Sequence, residues 1–219
     1  MAYEMGTGAS NAEERRTLYA NWILSQAFSE VARGIRDSLE EAYFFLRLAK
    51  IHDGPMKAGA FNALMRDARK EAQRAKFPDL IAAVTQGLTE PLTFAAEFQS
   101  LQKVRNCLEH RGGVVGTQDA DANGVLTLSL PRIKVFYMRG PEEVELEPGA
   151  ILDPGDGSKE VQLYSQRVTR TRAYRVGERI TFTADEFQEI AFACTLFLTD
   201  LVSKLPKATL GDIARGKLA

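Results

Sequence analysis

The sequence predicts an α+β fold in which a bundle of helices is interrupted by a block of β-strands. Three observations predict it. Apolar residues recur at intervals of three and four before residue 112 and again after residue 183, which is typical of amphipathic helices. Between these positions they alternate, and turns rich in Gly, Pro and Asp separate short segments. The final helical segment is too apolar to stand alone, so we expect it to complete a four-helix bundle.

Helical periodicity predicts five helices, at about residues 12–51, 57–76, 79–87, 90–111 and 183–205. The turn His52-Asp53-Gly54-Pro55 stops the first, and Pro78 separates the second from the short third. Pro91 suits the first turn of the next helix, since it needs no amide donor there. Thr183-Ala184-Asp185-Glu186 indicates the start of the last helix, which Pro206 ends.

Alternating apolar residues predict strand segments at 125–130, 133–138, 144–146, 161–164, 168–176 and 180–182. Pro131 interrupts the first pair of segments, and Asp153-Pro154-Gly155-Asp156-Gly157 predicts a turn. We therefore expect a helical bundle formed by residues 12–111 and 183–205, with a β-rich insertion at 112–182 between the third and last main helices. Residues 1–11 and 206–219 are expected to be flexible tails.

Composition limits the functional classes. The 219-residue chain carries a net charge of −1, so contact with nucleic acid would need a local basic patch. Cys107 and Cys194 lie in apolar helical patterns, which favours buried, reduced thiols. No apolar stretch approaches the roughly 20 residues of a membrane span, and the start of the chain does not resemble a secretion signal, so we expect a cytoplasmic protein without membrane contact.

Cofactor and metal chemistry receive little support. The two histidines and two cysteines do not have ligand spacing, which argues against zinc, whereas a magnesium site made of carboxylates stays open. The chain contains neither a nucleotide-binding glycine loop nor a G-x-S-x-G elbow. We therefore expect no cofactor.

The stretch Arg105-Asn106-Cys107-Leu108-Glu109-His110 carries the chemistry that stands out. Arg105 follows Leu101 by four residues and precedes Leu108 by three, so periodicity places it on the buried stripe, where a charge needs a partner or an inward-facing site. A guanidinium can hold a phosphate through paired N–H donors, and an imidazole can move a proton near neutral pH. These two groups are the minimum needed to cleave RNA without a metal ion.

This stretch resembles the R-x4-6-H signature of HEPN domains, in which a polar residue often follows the arginine. HEPN domains are small helical bundles. Many are metal-independent ribonucleases of toxin–antitoxin, CRISPR and antiviral defence systems, and others are inactive and only bind or dimerise. In the HEPN subgroup that a nucleotidyltransferase modifies, a tyrosine stands two residues after the histidine. Here that residue is Gly112, so the resemblance gives no support for such control.

The resemblance implies catalytic roles for three residues. Arg105 would bind the scissile phosphate, Asn106 would orient the phosphate or the imidazole, and His110 would transfer the proton. The products would be a 2′,3′-cyclic phosphate and a 5′-hydroxyl. Active HEPN ribonucleases commonly assemble the site across a homodimer, so the implied partners are RNA, a second copy of the chain and an antitoxin or defence-complex protein.

A structural alternative stands beside the catalytic one. Arg105 and Glu109 are four residues apart and could pair, and His110 and Arg111 could cap helix carbonyls. In a continuous helix Arg105 and His110 would also point about 140° apart. The corresponding alternative function is a catalytically inactive HEPN-like module that binds RNA, a nucleotide or a protein.

The strand block contains a second candidate site. In a strand Arg170, Arg172 and Tyr174 would share one face, and with Arg175 they could bind single-stranded RNA. The alternative is an ion ladder with the acidic stretch at 142–160, if the two segments pair as neighbouring strands. Another basic face lies on the second helix, where a solvated surface is the usual explanation; its members are Arg66, Arg69, Lys70, Arg74 and Lys76.

Overall fold

The computed structural model describes residues 11–50, 57–146, 151–152 and 161–207. Within them lie five helices: α1 (Ala12–Ala49), α2 (Ala58–Arg74), α3 (Phe77–Thr85), α4 (Ala95–Arg111) and α5 (Ala184–Ser203). Three strands lie between α4 and α5: β1 (Val125–Arg139), β2 (Glu142–Glu145) and β3 (Leu163–Arg175). The α+β class is confirmed. The predicted turns at 52–55 and 153–157 and most of both predicted tails fall outside the described residues.

α1 is the longest helix, and only its C-terminal two thirds are buried. Asn11 caps it by accepting hydrogen bonds from the amides of Glu13 (3.0 Å) and Glu14 (2.9 Å). From Phe28 onward, α1 contacts all four other helices with a regular stripe of buried residues: Phe28, Ala32, Ile35, Leu39, Ala42 and Leu46. The turns before Phe28 extend past this packing and expose Leu18 (58%) and Ile23 (57%).

α4 begins later than its sequence predicts. Pro91 does not start the helix, because residues 89–93 instead bind the end of α5. Thr93 donates to Asp200 from both its amide and its hydroxyl, each at 2.9 Å. Lys204 donates to the carbonyl of Pro91 at 2.7 Å, and Thr89 donates to the Lys204 carbonyl. This polar cluster joins the start of α4 to the end of α5, and α4 itself starts at Ala95.

The sheet is antiparallel with the order β2-β1-β3. The predicted interruption at Pro131 is wrong, because β1 runs through it and pairs it with Thr169. β2 covers β1 only between Phe136 and Arg139. Among the described residues, no strand lies beside β1 at Pro131 on the side opposite β3, and a missing amide donor is tolerated at such an edge.

Helices and strands share one hydrophobic core. Leu126 and Leu128 of β1 and Tyr174 of β3 join the cluster that the helices form. Ser100 of α4 fastens the layers together, since its hydroxyl accepts from the Ser129 amide (2.7 Å) and donates to the Ser129 carbonyl (3.0 Å). The predicted short strand at 180–182 is not observed; Ile180 and Phe182 lead into α5 as buried extended chain.

The predicted start of α5 is confirmed. The Thr183 hydroxyl accepts from the Glu186 amide (3.2 Å), and the Glu186 carboxylate accepts from the Thr183 amide (2.8 Å). Two amides that the helix itself cannot satisfy are thereby paired. Because α5 carries a large share of the core, its first turn affects the whole fold.

We expect Thr183→Ala to lower the free energy of unfolding by about 1 kcal/mol, because the cap is lost. Chemical denaturation followed by far-UV circular dichroism measures the change. Thr195→Ala is the matched control, since the Thr195 hydroxyl only bonds back to Ala191 within the same helix. Equal stability of the two variants would contradict the role assigned to the cap.

Candidate functional site

Arg105, Asn106 and His110, the candidate catalytic residues, lie in the last two turns of α4. Gly112 and Gly113 end the helix with φ angles of +60° and +77°, which favour glycine. The Gly113 amide donates to the carbonyl of Cys107 at 3.2 Å, and Arg179 donates to the carbonyl of Gly112 at 2.8 Å. The helix end is thus closed by Arg179, a residue from beyond β3.

Arg105 is held by Glu109. Its Nε donates to Oε1 at 3.0 Å, and its Nη2 lies 2.9 Å from Oε2. Both side chains are largely buried, with 15% and 23% exposed. The pairing expected from the i,i+4 spacing is confirmed, and it explains how an arginine occupies the apolar stripe.

The pair engages only one edge of the guanidinium. Nε and Nη2 face Glu109, and within the described residues Nη1 of Arg105 has no protein partner. An arginine fork can bind two acceptors on its two edges at once. Glu109 also lies 3.5 Å from Nη2 of Arg33 on α1, which in turn pairs with Glu30 at 3.0 Å. An alternating chain of acids and bases therefore crosses from α1 to α4.

Asn106 lies next to a buried amide on α4, and it precedes His110 by four residues, so these two side chains share one side of the helix. Its Oδ1 accepts from Nε2 of Gln102 at 3.1 Å, one helical turn earlier. This bond turns the Asn106 NH₂ group away from Gln102, so that its donors can reach a ligand. The Gln102 side chain is only 9% exposed, and its Oε1 is buried without a hydrogen-bond partner. Sequence reasoning missed Gln102, although its spacing of four from Asn106 could have suggested it.

His110 is exposed and points away from Arg105. Within the described part of the chain its ring makes no hydrogen bond, so it is not the predicted carbonyl cap. α4 is continuous from Ala95 to Arg111, and five residues of α-helix turn through about 500°. The side chains of Arg105 and His110 therefore leave the helix about 140° apart. One chain alone does not bring the guanidinium and the imidazole together.

Arg111 has a structural partner instead of a capping role. Asp119, whose side chain is 3% exposed, accepts from Arg111 Nε at 2.6 Å and from the Gly116 amide at 3.0 Å. This bidentate pair fixes the loop that follows α4. Asp119 was missed from the sequence, because it lies eight residues away across a glycine turn and no helical spacing links the two.

Neither cysteine is suited to nucleophilic chemistry. Both are buried and free, as predicted. Burial raises the pKa of the Cys107 thiol, and the nearby Asp119 carboxylate raises it further. Burial also raises the pKa of Cys194 to about 12. Thiols that stay protonated at neutral pH are poor nucleophiles and metal ligands.

The strand candidates are mostly occupied by salt bridges. Arg170 and Arg172 share a face of β3, as predicted, but this face packs against α5, where they pair with Glu189 and Glu186. The alternative ladder between these arginines and the acidic residues of β2 is not formed, since β3 pairs with β1 and not with β2. The rest of the acidic stretch, at 147–150 and 153–160, lies outside the described residues. The acidic residues of β2 instead bind β1: Glu145 pairs with Arg132, and Glu143 with Lys134.

Tyr174 and Arg175 also differ from the sequence prediction. Tyr174 was expected to be an exposed stacking ring, but its side chain is 0% exposed and belongs to the core. Arg172 covers the ring, with its guanidinium carbon 5.0 Å from the centroid. Arg175 is exposed, although its amide is bound by Glu178 in a tight turn. Because Arg170 and Arg172 are paired with glutamates of α5 and the ring of Tyr174 is buried, only Arg175 of the four predicted RNA-binding residues has a side chain that is exposed and without an acidic partner among the described residues.

Among the described residues, no helix has the length and apolar content needed to cross a bilayer. Nor do these residues bring together three or more His, Cys, Asp or Glu side chains that could hold a metal ion. No protein-family model, curated protein or solved structure matches the chain. The HEPN resemblance therefore rests on the motif and on its place at the end of a packed helix.

We expect Tyr174→Phe to raise the free energy of unfolding by up to about 1 kcal/mol, because the buried hydroxyl has no partner. Burial raises the pKa of Tyr174 to about 12 from 10.0. Between pH 10 and 12 the Tyr174 hydroxyl therefore ionises in the unfolded chain but not in the folded one, which lowers the free energy of unfolding as pH rises. Tyr174→Phe should show a smaller decrease over this pH range, because it has no hydroxyl to ionise.

Urea denaturation at pH 8 and at pH 10.5–11.5 measures both effects. Tyr164→Phe is the control, since Tyr164 is 40% exposed and stacks on Phe136. If Tyr174→Phe weakened RNA binding without changing stability, the assignment of this ring to the core would be wrong.

Proposed function

We propose that the chain is a HEPN-type, metal-independent endoribonuclease of the cytoplasm that acts as a homodimer, with residues 12–111 and 183–205 as its HEPN-like four-helix core. The observation that carries the proposal is the arrangement at the end of α4. An arginine with one unpaired edge lies on one side of the helix, and an asparagine and an exposed histidine, four residues apart, share another side. A toxin or defence effector, controlled by an antitoxin or a defence-complex protein, is the corresponding biological role.

The reaction needs two proton transfers around one phosphate. The ribose 2′-oxygen loses its proton and forms a bond to phosphorus, the bond from phosphorus to the 5′-oxygen breaks, and that oxygen gains a proton. His110 is the group that exchanges protons with these oxygens. Arg105, through its Nη1 edge, and Asn106 would stabilise the charge that develops on the phosphate. The products are a 2′,3′-cyclic phosphate and a 5′-hydroxyl.

In a homodimer, Arg105 of one subunit could lie close to His110 of the other. Because Arg105 and His110 of one chain diverge by about 140°, an RNA strand could contact both only if the arginine of one subunit served the histidine of the other. The exposed part of α1 offers a surface for such pairing. Leu18, Trp22 and Ile23 are 58%, 44% and 57% exposed, and their helix continues into the buried stretch where Arg33 contacts Glu109.

A catalytically inactive HEPN-like binding module is the second candidate. The bidentate Arg105–Glu109 pair and the 15% exposure of Arg105 favour it, since a neutralised arginine binds phosphate less strongly than a free one. This module would bind RNA, a nucleotide or a protein without cleaving it. The nuclease would convert a ribose 2′-hydroxyl of the RNA into a cyclic phosphate, whereas the binding module would leave the RNA intact.

We expect the purified chain to cleave single-stranded RNA in excess EDTA and to leave 2′,3′-cyclic phosphate ends. His110→Ala should reduce the rate by a factor of at least about 100, because the proton transfer is lost. Lys103→Ala is the control, since Lys103 is an exposed cation on the same side of α4 as His110. Mapping the RNA ends by enzymatic repair and sequencing gives the readout.

Arg105 needs its own control, because its removal leaves the largely buried Glu109 with only the more distant Arg33, at 3.5 Å, as a partner. We therefore compare Arg105→Gln with the double variant Arg105→Gln/Glu109→Gln, which removes both charges. If Arg105 is catalytic, both variants should cleave RNA about 100-fold more slowly than the wild type. The double variant should keep the wild-type melting temperature. Cleavage of all-DNA substrate, or binding of RNA without cleavage, would rule out the 2′-hydroxyl mechanism.

We expect Leu18→Gln/Ile23→Gln to shift the chain from dimer to monomer while each chain keeps its helical fold, because both side chains are exposed in the single chain. Light scattering over a range of protein concentrations measures the mass. Val202→Gln on α5, a residue that is 66% exposed, is the control and should leave the mass unchanged. A wild-type chain that stayed monomeric at every concentration would contradict the dimer.

A further inference from the structure

Helix α2 and the residues beside it carry a concentrated positive charge. Residues 57–76 carry six basic and two acidic side chains, a net charge of +4, whereas the whole chain carries −1. Of the two acids, Glu71 is already engaged: it accepts from the Tyr43 hydroxyl at 2.9 Å and lies 3.7 Å from Arg47. Asp67 is the remaining acid on this helix.

Four basic residues of α2 form one exposed face, which we call the α2 stripe: Arg66, Arg69, Lys70 and Arg74. Arg66, Lys70 and Arg74 follow one another at steps of four, so each rises about 6 Å above the last and stays on one side of the helix. Ala68 and Ala72, which are buried, lie on the opposite side.

The basic residues of the α2 stripe differ from those of the strand block in that they form no salt bridges within the described residues. Arg132, Arg170 and Arg172 in the strand block each contact a glutamate. Within the described residues, no carboxylate lies within 4 Å of a basic group of the stripe. Arg69 is held over the ring of Phe44, with its guanidinium carbon 4.7 Å from the centroid, which keeps its donors available.

The end of the stripe lies near the candidate site. Arg36 of α1 donates to the carbonyls of Gln73 (3.1 Å) and Ala75 (3.0 Å) at the end of α2. Arg33, one turn earlier on α1, contacts Glu109, the partner of Arg105. Arg74 therefore lies at the end of α2 that Arg36 fixes to α1, and the neighbouring turn of α1 carries Arg33, which contacts the motif.

We propose that the α2 stripe binds the phosphate backbone of single-stranded RNA and leads the strand towards Arg105 and His110. A regular row of unpaired cations matches the regular negative charge of a nucleic-acid strand, and such contacts carry little sequence information. The proposal rests on the proposed function in so far as RNA is the ligand. It replaces the β3 arginines with residues that are free to bind phosphate.

The test uses the full chain and a fluorescein-labelled, fully 2′-O-methylated 20-mer, which cannot be cleaved through a 2′-hydroxyl. Fluorescence anisotropy measures the Kd at several salt concentrations. We expect Arg66→Gln/Arg74→Gln to weaken binding at low salt by about tenfold. The slope of log K against log salt should fall by about 1.4, because each lost phosphate contact removes about 0.7 for a single strand.

Arg15→Gln/Arg16→Gln is the matched control. It removes the same charge from exposed positions about 30 Å from Arg36 along α1. If this control weakened binding as much as Arg66→Gln/Arg74→Gln did, only net charge would matter and the proposal would be wrong. A wild-type chain that failed to bind the 20-mer would also overturn it. Thermal melts of all the variants show whether folding is retained.

Two further outcomes separate this inference from the nuclease proposal. Stripe-dependent binding without cleavage of natural RNA in EDTA would reject the nuclease and keep the stripe. Cleavage that is insensitive to Arg66→Gln/Arg74→Gln, with unchanged binding, would reject the stripe and keep the nuclease. Sedimentation with vesicles containing phosphatidylserine tests the competing partner; stripe-dependent binding to vesicles but not to RNA would assign the surface to a membrane.

Discussion

The packing of α4 on two sides at once is the constraint on which the rest of the structure depends. One side meets the other helices, where the rings of Phe98 and Phe197 lie 4.1 Å apart between centroids. Another side meets β1, where Ser100 binds both polar groups of Ser129. A helix fixed in this way cannot rotate without breaking one of the two contacts. The direction in which each residue of the motif points is therefore set by the core.

This constraint explains the environment of Arg105. Its position belongs to the edge of the apolar stripe, so the guanidinium is desolvated and requires an anion. Glu109, one turn later, is the nearest residue on the same side of the helix that can supply one. His110, one residue further, falls on the exposed side for the same geometric reason. A motif of this spacing on a straight helix necessarily separates its arginine from its histidine.

The sequence could predict features that depend on nearby residues. The helical periods, the capping box at Thr183 and the Arg105–Glu109 pair all follow from spacings of three or four residues. Features that depend on distant residues were missed. The late start of α4 comes from Thr93 binding Asp200, and the continuity of β1 through Pro131 follows from the short extent of β2. No local pattern contains either fact.

The same distinction applies to the charged residues. Alternation in β3 predicted that Arg170 and Arg172 share a face, and they do, but it could not show that α5 places glutamates over that face. Tyr174 follows the same alternation, yet its depth in the sheet puts it in the core. A basic residue in a sequence is available to a ligand only if the fold leaves it without an acid. By that criterion α2 carries the longer row of accessible positive charge, since Arg170 and Arg172 of β3 are paired and Arg175 is exposed.

The Arg105–Glu109 pair bears on how a phosphate could bind beside it. Glu109 is 23% exposed and shares its charge with Arg33, so its repulsion of an incoming phosphate is partly offset and partly screened. It also fixes the guanidinium plane, and a fixed donor loses less conformational entropy when a ligand arrives. A carboxylate on the Nε edge can therefore orient Arg105 while the Nη1 edge stays open.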